Sequence, residues 1–214
     1  GAGHSSLHAN MMPLAFNMVP GENVDAVVDF IKSRGMACSV YGSQYLMDGL
    51  YNAGEADYAL ELMTATHDRS WWNMIAIGST VTLEAWDMKY KPNSDWNHAW
   101  GAVPGNIVAR KMWGIQPKSP GAALLEIKPQ LGSLTETEIT VPFITGKVSA
   151  SYRKVNNRLQ RYVFELPANV SAELILKYNA NDAISLNGEK VNTRFGSIRL
   201  SPGKNEIELQ VNSF

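Results

Sequence analysis

The sequence has 214 residues, of which 45% are hydrophobic and 18% are charged, and its formal net charge is −1. These values are ordinary for a globular chain that forms one large or two small domains around a core of normal size. A near-neutral chain without a basic patch has no electrostatic basis for binding nucleic acid or an anionic membrane. No apolar run is long enough to span a bilayer. We therefore expect neither nucleic acid nor a membrane as a partner.

Cysteine content and the N-terminal sequence bear on the compartment and on completeness. Cys38 is the only cysteine, which excludes an internal disulfide and fits a cytoplasmic and a periplasmic protein equally. No signal-peptide pattern is visible, and the sequence starts without methionine. We expect part of a longer protein. Its compartment stays undetermined, with a periplasmic or extracellular location favoured and a cytoplasmic one left open.

The first part of the chain has the apolar spacing of helices. Val24, Val27, Val28 and Ile31 recur at helical intervals in one segment. The spacing predicts helices that arrive as stacked α-hairpins, in the segments 24–34, 42–54, 55–68 and 95–114. The last of these is predicted as one long helix, weakened or kinked by its internal glycines and proline.

The pattern changes after a linker at residues 116–123. Short β-rich runs punctuated by turn residues follow to the end of the chain, which is typical of an antiparallel sandwich. The predicted strands lie in the segments 124–129, 134–143, 146–156, 158–167, 172–178, 183–188, 193–200 and 205–211. The predicted domains are therefore a helical part, residues 1–117, and a β-sandwich, residues 118–214.

One stretch, STVTLEAWDMKYKPNSDWNHAW (79–100), carries the chemistry-bearing residues. Glu84 stands among the apolar residues Val81, Leu83 and Trp86, and such surroundings raise a carboxyl pKa and suit an acid or base. The alternative is an exposed or helix-capping glutamate. His98 has the chemistry to hydrogen-bond a ligand hydroxyl or carboxylate, or it is a histidine satisfied by the protein itself.

All six tryptophans lie in the first 113 residues. Indole faces suit the C–H faces of a pyranose ring, and they are also ordinary core material. Trp71 and Trp86 lie near the ends of the loop and are predicted to face a cleft, whereas Trp72 and Trp113 are predicted to be core. No set of metal-ligating residues has a matching signature, so neither a metal nor a cofactor is expected.

Two linked motifs resemble the C-terminal part of bacterial α-L-rhamnosidases, family 78 of the glycoside hydrolases. GSTVTLEAW (78–86) is similar to that family's G-A-T-T-x-W-E-x-W loop, and NHAWGAV (97–103) to its N-H-x-x-x-G-A/S-V segment. The segments 40–63, 70–75 and 121–154 add further similarity. The resemblance covers nearly the whole chain, and the linked motifs are far more specific than either is alone.

The resemblance implies a multidomain α and β fold, in which part of an (α/α)6 barrel precedes an antiparallel β-sandwich. It also implies an inverting glycosidase that removes terminal α-L-rhamnosyl residues, with Glu84 as the catalytic base. His98 would contact the rhamnose. Trp71 and Trp86 are added to the sugar-binding residues because of their position near the loop ends. The partner would be a rhamnose-containing carbohydrate.

The family's general acid lies in an acidic, tryptophan-containing segment upstream of the base, and residues 1–83 contain no such segment. We therefore expect a fragment that is inactive by itself. The sequence also supplies only about half the helices of a twelve-helix barrel, so we expect exposed helix faces that lead to homo-oligomers or to poor solubility. The alternatives are another (α/α)6-barrel glycosidase or a non-catalytic carbohydrate-binding protein. The second is disfavoured because residues 120–214 contain no tryptophan.

Overall fold

The computed structural model of the chain describes residues 5–191 and 196–212. The chain divides into two compact units, the helical unit (residues 1–111) and the β unit (residues 112–214). Among the described residues, no helix has both the length and the apolar character needed to cross a membrane.

The helical unit is built from short helices. They are α1 (Leu7–Ala15), α2 (Val24–Arg34), α3 (Ser43–Asn52), α4 (Ala56–Thr64), α5 (Trp71–Ala76) and α6 (Val103–Ile107), and a π-helical turn follows at Val108–Met112. The side chains of Ser6 and Ser70 cap α1 and α5 by accepting backbone N–H groups. Helix α3 contacts α1, α4 and α6. Helix α1 packs against α2 and α3, where a Cβ on Gly49 would lie 3.2 Å from the backbone nitrogen of Ala15.

The predicted helices 24–34 and 42–54 are confirmed by α2 and α3. Helix α4 confirms the predicted helix 55–68 except at its end, because residues 65–68 are not helical. The single long helix predicted for residues 95–114 is wrong. Residues 95–98 are loop, a 3-10 turn follows at Ala99–Gly101, and α6 begins only at Val103. Pro104 explains this start, because a proline lacks the N–H that a helix interior needs but fits the first helical turn.

The β unit contains two sheets. Its strands are β1 (Ile115–Pro117), β2 (Leu124–Ile127), β3 (Glu136–Phe143), β4 (Gly146–Lys154), β5 (Leu159–Leu166), β6 (Ser171–Leu174), β7 (Ala183–Leu186), β8 (Glu189–Lys190), β9 (Ile198–Leu200) and β10 (Gly203–Gln210). One sheet has the order β1-β2-β6-β9 and the other β3-β4-β5-β10-β7-β8. Alternate residues of these strands are buried, as in β10, where Asn205, Ile207 and Leu209 point inward.

Among the described strands, all pairs are antiparallel except β2 and β6, which pair in parallel. Part of the predicted linker also forms structure, since β1 pairs with β2 and a 3-10 turn follows at Pro120–Ala122. Residues 193–195 of the predicted strand 193–200 lie outside the described residues, and β9 covers its end. Trp113 is fully buried against Phe164, as predicted for a core residue, whereas Trp72 is 54% exposed.

Candidate active site

The two motifs of the helical unit are bonded directly to each other. The His98 N–H donates to the Thr82 carbonyl at 2.9 Å, and the Thr82 hydroxyl donates to the His98 carbonyl at 2.8 Å. The Glu84 N–H donates to the Asp95 carbonyl at 3.1 Å. These bonds turn residues 82–98 back on themselves, so that Glu84 and His98, which are 14 residues apart in sequence, come to one place.

Glycine is required where the second motif meets the first. A Cβ on Gly101 would lie 2.6 Å from the Thr82 Cβ and 2.9 Å from the Leu83 carbonyl oxygen, closer than real side chains approach. The Gly101 carbonyl also accepts the Trp71 indole N–H at 2.8 Å. Helix α5 and both motifs therefore meet at Gly101, and this contact fixes the two ends of the loop.

The Glu84 carboxylate is held from two sides. Its Oε1 forms an ion pair with the Lys91 ammonium, and its Oε2 accepts the Asp95 N–H at 3.2 Å. The side chain is only 14% exposed. The hydrogen bond from Lys91 and, after it, that from Asp95 lower the pKa of Glu84 below its usual value of 4.5.

The expected raised pKa of Glu84 is therefore wrong in direction. Its apolar neighbours Leu83 and Trp86 are 1% and 2% exposed and point into the core, which leaves the carboxylate on the other side of the chain beside Lys91. Glu84 is ionised at neutral pH, and this is the state that a base requires.

A pocket of about 450 Å³ opens beside Glu84. The pocket is lined by residues of the loop, of the α2–α3 connection and of the α4–α5 connection. The lining residues include Cys38, Tyr41, Arg69, Lys91 and Trp100. Glu84 is the only carboxylate among the described residues that line it. Burial raises the pKa of the Cys38 thiol to about 12, so this sulfur is protonated and is no nucleophile.

His98 lies next to this pocket. Its ring centroid is 4.0 Å from that of Trp100, and its Nδ1 is 3.5 Å from an Asp95 carboxylate oxygen. Polar atoms of Glu84, Asp95 and His98 all lie within 4.8 Å of one another, as in a cation site. The Lys91 ammonium already binds Glu84 and would repel a second cation, so we assign no metal to these residues.

Trp71 and Trp86 form an edge-to-face pair with ring centroids 5.0 Å apart. The indole N–H groups donate to the carbonyls of Gly101 and Cys38, each at 2.8 Å, so neither is available to a sugar hydroxyl. Trp86 lines the pocket despite being 2% exposed. Substrate binding by either tryptophan stays a prediction that rests on the ring face alone.

Sequence reasoning missed the more exposed aromatic residues of the pocket. Trp100 and Tyr41 are 41% and 48% exposed, and their ring centroids are 5.3 Å apart. Tyr41 precedes α3 and is 43 residues from Glu84, so no local pattern connects the two. The motif NHAWGAV contains Trp100, and its position two residues after His98 was the available signal.

Comparison with models of known families assigns residues 1–112 to the class of six-hairpin glycosidases. The model of the bacterial alpha-L-rhamnosidase 6 hairpin glycosidase domain matches residues 1–112, and that of the bacterial alpha-L-rhamnosidase C-terminal domain matches residues 114–190. The chain belongs to the bacterial α-L-rhamnosidase family.

Solved structures share the fold over nearly the whole chain. The α-L-rhamnosidase from Dictyoglumus thermophilum has a TM-score of 0.81 at 19% identity, covering 96% of this chain and 25% of that one. The Streptomyces avermitilis α-L-rhamnosidase complexed with L-rhamnose has a TM-score of 0.78 at 22% identity, covering 95% and 21%. The Aspergillus terreus enzyme has a TM-score of 0.74 at 20% identity, covering 97% and 24%.

The chain thus spans a quarter or less of the length of these three structures. A search of curated protein sequences found no significant match.

Proposed function

We propose that this chain is the C-terminal part of an inverting α-L-rhamnosidase, which hydrolyses terminal α-L-rhamnosyl residues of glycans or glycosides. The observation that carries the proposal is the ionised Glu84, fixed by Lys91 and the Asp95 N–H at the edge of a 450 Å³ pocket within the matched family domain. Glu84 is the catalytic base of the parent enzyme, and His98 contributes to rhamnose binding.

In this mechanism Glu84 removes a proton from a water molecule whose oxygen attacks the anomeric carbon. The bond to the leaving oxygen breaks on the opposite face of the sugar, and a carboxylic acid protonates that oxygen. The two carboxyl groups of an inverting site stand about 6.5–9.5 Å apart to leave room for the water. Asp95 is too close to Glu84 for this role, since their nearest oxygens lie within 4.8 Å.

We expect the general acid to come from another segment of the parent protein. General acid catalysis contributes about 10²–10⁴-fold to a rate, and the missing pocket walls also position the sugar. We expect the isolated 214-residue chain to cleave aryl α-L-rhamnosides at no measurable rate. A clear rate from the purified chain would contradict this.

The helical unit also exposes apolar side chains on α5. Trp72 and Ile75, three residues apart on one helix face, are 54% and 62% exposed. We propose that the isolated chain forms homo-oligomers through this face. Light scattering of the wild type and of Trp72→Gln tests the idea. The variant should have the lower average mass, and a wild-type monomer at high concentration would refute association.

A non-catalytic carbohydrate-binding protein is the second candidate, because Tyr41 and Trp100 give the pocket an exposed aromatic wall. The alternatives are separated by assaying the parent enzyme, wild type and Glu84→Gln, on an aryl α-L-rhamnoside and on a panel of other aryl glycosides. Glutamine keeps the shape and removes the base.

We expect cleavage of the rhamnoside only, and a loss of about 10²–10⁴-fold in kcat for Glu84→Gln. Glu61→Gln, an exposed change on α4, is the matched control and should keep the rate. If the enzyme prefers another sugar, the assignment of the barrel fold stands, but the assignment as a rhamnosidase is refuted. An unchanged rate in Glu84→Gln would refute the role of Glu84.

A further inference from the structure

Asp68 holds the loop of residues 82–98 from outside the pocket. The Tyr90 hydroxyl donates to Oδ2 of Asp68 at 2.6 Å, and the Lys89 ammonium lies 2.7 Å from the same oxygen. Asp68 belongs to the α4–α5 connection and is not among the described residues that line the pocket, whereas Tyr90 and Lys91 are. This carboxylate therefore ties the loop to the α4–α5 connection immediately before Lys91.

Tyr90 is the more rigid of the two links to Asp68. The Arg69 guanidinium lies over its ring, 4.5 Å from the centroid, so the ring is held at its face and at its hydroxyl. A tyrosine side chain has only two torsion angles, whereas the Lys89 ammonium ends a flexible four-carbon stem, and that side chain is 54% exposed. The Tyr90 ring therefore fixes the backbone next to Lys91, and Lys89 adds little to this.

Lys91 depends on such a hold to stay paired with Glu84. Its side chain is 41% exposed, and a lysine gives up much rotamer freedom when a single ion pair holds it. Residues 84–98 form turns and bends without a helix or strand, so neighbouring residues must fix the backbone. Pro92 confines the Lys91 backbone to extended conformations because it follows directly, and Tyr90 fixes the backbone on the other side.

We propose that Asp68 is a positioning residue for the base. By holding the Tyr90 ring, it keeps the Lys91 ammonium on Glu84. The inference rests on the proposed function, in which Glu84 is the base, and it adds a residue that does not line the pocket. Hydrogen bonds from Lys89 and then from Tyr90 lower the pKa of Asp68 to about 2, so its carboxyl group is ionised at neutral pH and accepts both bonds.

The sign of the effect separates positioning from simple electrostatics. Asp68→Ala removes a negative charge, and the loss of an anion by itself lowers the pKa of nearby carboxyl groups. If Asp68 positions Lys91, the variant instead frees the ammonium, and the pKa of Glu84 rises toward its usual value of 4.5. The Asp95 N–H and His98 also lower this pKa, and the variant leaves both in place.

The test is a ¹³C NMR titration of the Glu84 carboxyl group in the 214-residue chain, with the signal assigned by its loss in Glu84→Gln. We expect the pKa of Glu84 to rise in Asp68→Ala. It should also rise in Tyr90→Phe, which keeps the ring and removes only the hydroxyl group that Asp68 binds. The matched control is Asp29→Ala, which removes one exposed carboxylate from α2 and should leave the pKa of Glu84 unchanged.

A double variant shows whether Asp68 acts through Lys91. Lys91→Met removes the ion pair and raises the pKa of Glu84 by itself, so adding Asp68→Ala should cause no further rise. An unchanged or lowered pKa of Glu84 in Asp68→Ala would overturn the inference. So would a further rise in the double variant, or an equal rise in Asp29→Ala.

The parent enzyme supplies the kinetic counterpart. Asp68→Ala should move the acidic limb of kcat/KM for an aryl α-L-rhamnoside to higher pH, and an unmoved limb would count against the inference. The titration measures the surroundings of Glu84 whether or not the enzyme cleaves rhamnosides, so a failure of the proposed function is seen separately. If the parent enzyme cleaves another sugar, the same pH profile is measured with that sugar.

Discussion

Compared with the β unit, the helical unit holds the two least exposed carboxylates among the described ion pairs. In the β unit the cross-strand pairs Arg153–Glu136 and Arg161–Glu208 join side chains that are 47–65% exposed. In the helical unit the carboxylates of Glu84 and Asp48 are only 14% and 16% exposed, and each is bound by lysine or arginine. Exposed ion pairs contribute little to stability. A partly buried charge without a partner destabilises the fold, so it is found paired.

This difference separates the work of the two units. The β unit is stabilised by alternating apolar side chains between its sheets, and the pairs Arg153–Glu136 and Arg161–Glu208 are exposed. In the helical unit, hydrogen bonds and an ion pair hold a loop that contains little regular structure. Apolar packing therefore sets the stability of the β unit, and hydrogen bonds and charge set the geometry of the site.

The largest effect on stability is expected in the core of the β unit. Phe164 is fully buried, and Phe164→Ala should lower the free energy of unfolding by about 3–5 kcal/mol through lost burial and a cavity. Chemical denaturation of the chain measures this. Ile144→Ala is the control, because Ile144 is 93% exposed in a turn and its loss should change stability by less than about 0.5 kcal/mol. Equal effects would show that apolar packing does not distinguish the two positions.

A smaller effect is expected where the two motifs meet. Gly101→Ala places a Cβ 2.6 Å from that of Thr82, so the loop must move or the unit must lose about 1–3 kcal/mol. We also expect lower activity of the parent enzyme. Gly105→Ala, in α6, meets nothing within 4 Å and should be neutral or stabilising. If both variants behave alike in denaturation and in the assay, close contact at Gly101 is unimportant.

The smallest effect is a change of pH dependence. Lys91 lowers the pKa of Glu84, so Glu84 stays ionised to a lower pH than an ordinary glutamate. Lys91→Met should raise that pKa and move the acidic limb of kcat/KM for the parent enzyme to higher pH. Lys89→Met is the control, because Lys89 pairs with Asp68 instead. An unmoved acidic limb in Lys91→Met would mean that Lys91 does not tune the base.

The same pair affects stability with a defined sign. The pKa of Glu84 in the folded protein lies below its usual value of 4.5, so the ion pair with Lys91 adds to the free energy of unfolding above pH 4.5. This contribution is lost as the pH falls through the folded pKa.

The β unit was largely predictable because local pattern and burial coincide there. In β4 and β10 alternate residues are buried, and this two-residue period is visible in the sequence. The parallel pairing of β2 with β6 was not predictable, because strands 47 residues apart leave no local signal of their direction. The helices α2, α3 and α4 were also predictable from the spacing of their apolar residues.

The site was predictable only where motifs mark it. The linked motifs pointed to Glu84 and His98, and the structure brings these two residues together. Lys91, Arg69 and Tyr41 reach the pocket through loops whose paths depend on tertiary contacts. The pKa of Glu84 was misjudged for the same reason, since sequence neighbours do not tell which side of the chain a carboxylate faces.

The most direct test of Glu84 as the base of an inverting enzyme is chemical rescue by azide. In the parent enzyme Glu84→Ala removes the base and leaves room beside Lys91 for a small anion that needs no deprotonation. With an aryl α-L-rhamnoside, we predict that added azide restores turnover by displacing the aryloxide, and that the product is the β-L-rhamnosyl azide. An α-L-rhamnosyl azide, or a Glu84→Ala enzyme that keeps its full hydrolytic rate without azide, would contradict the account.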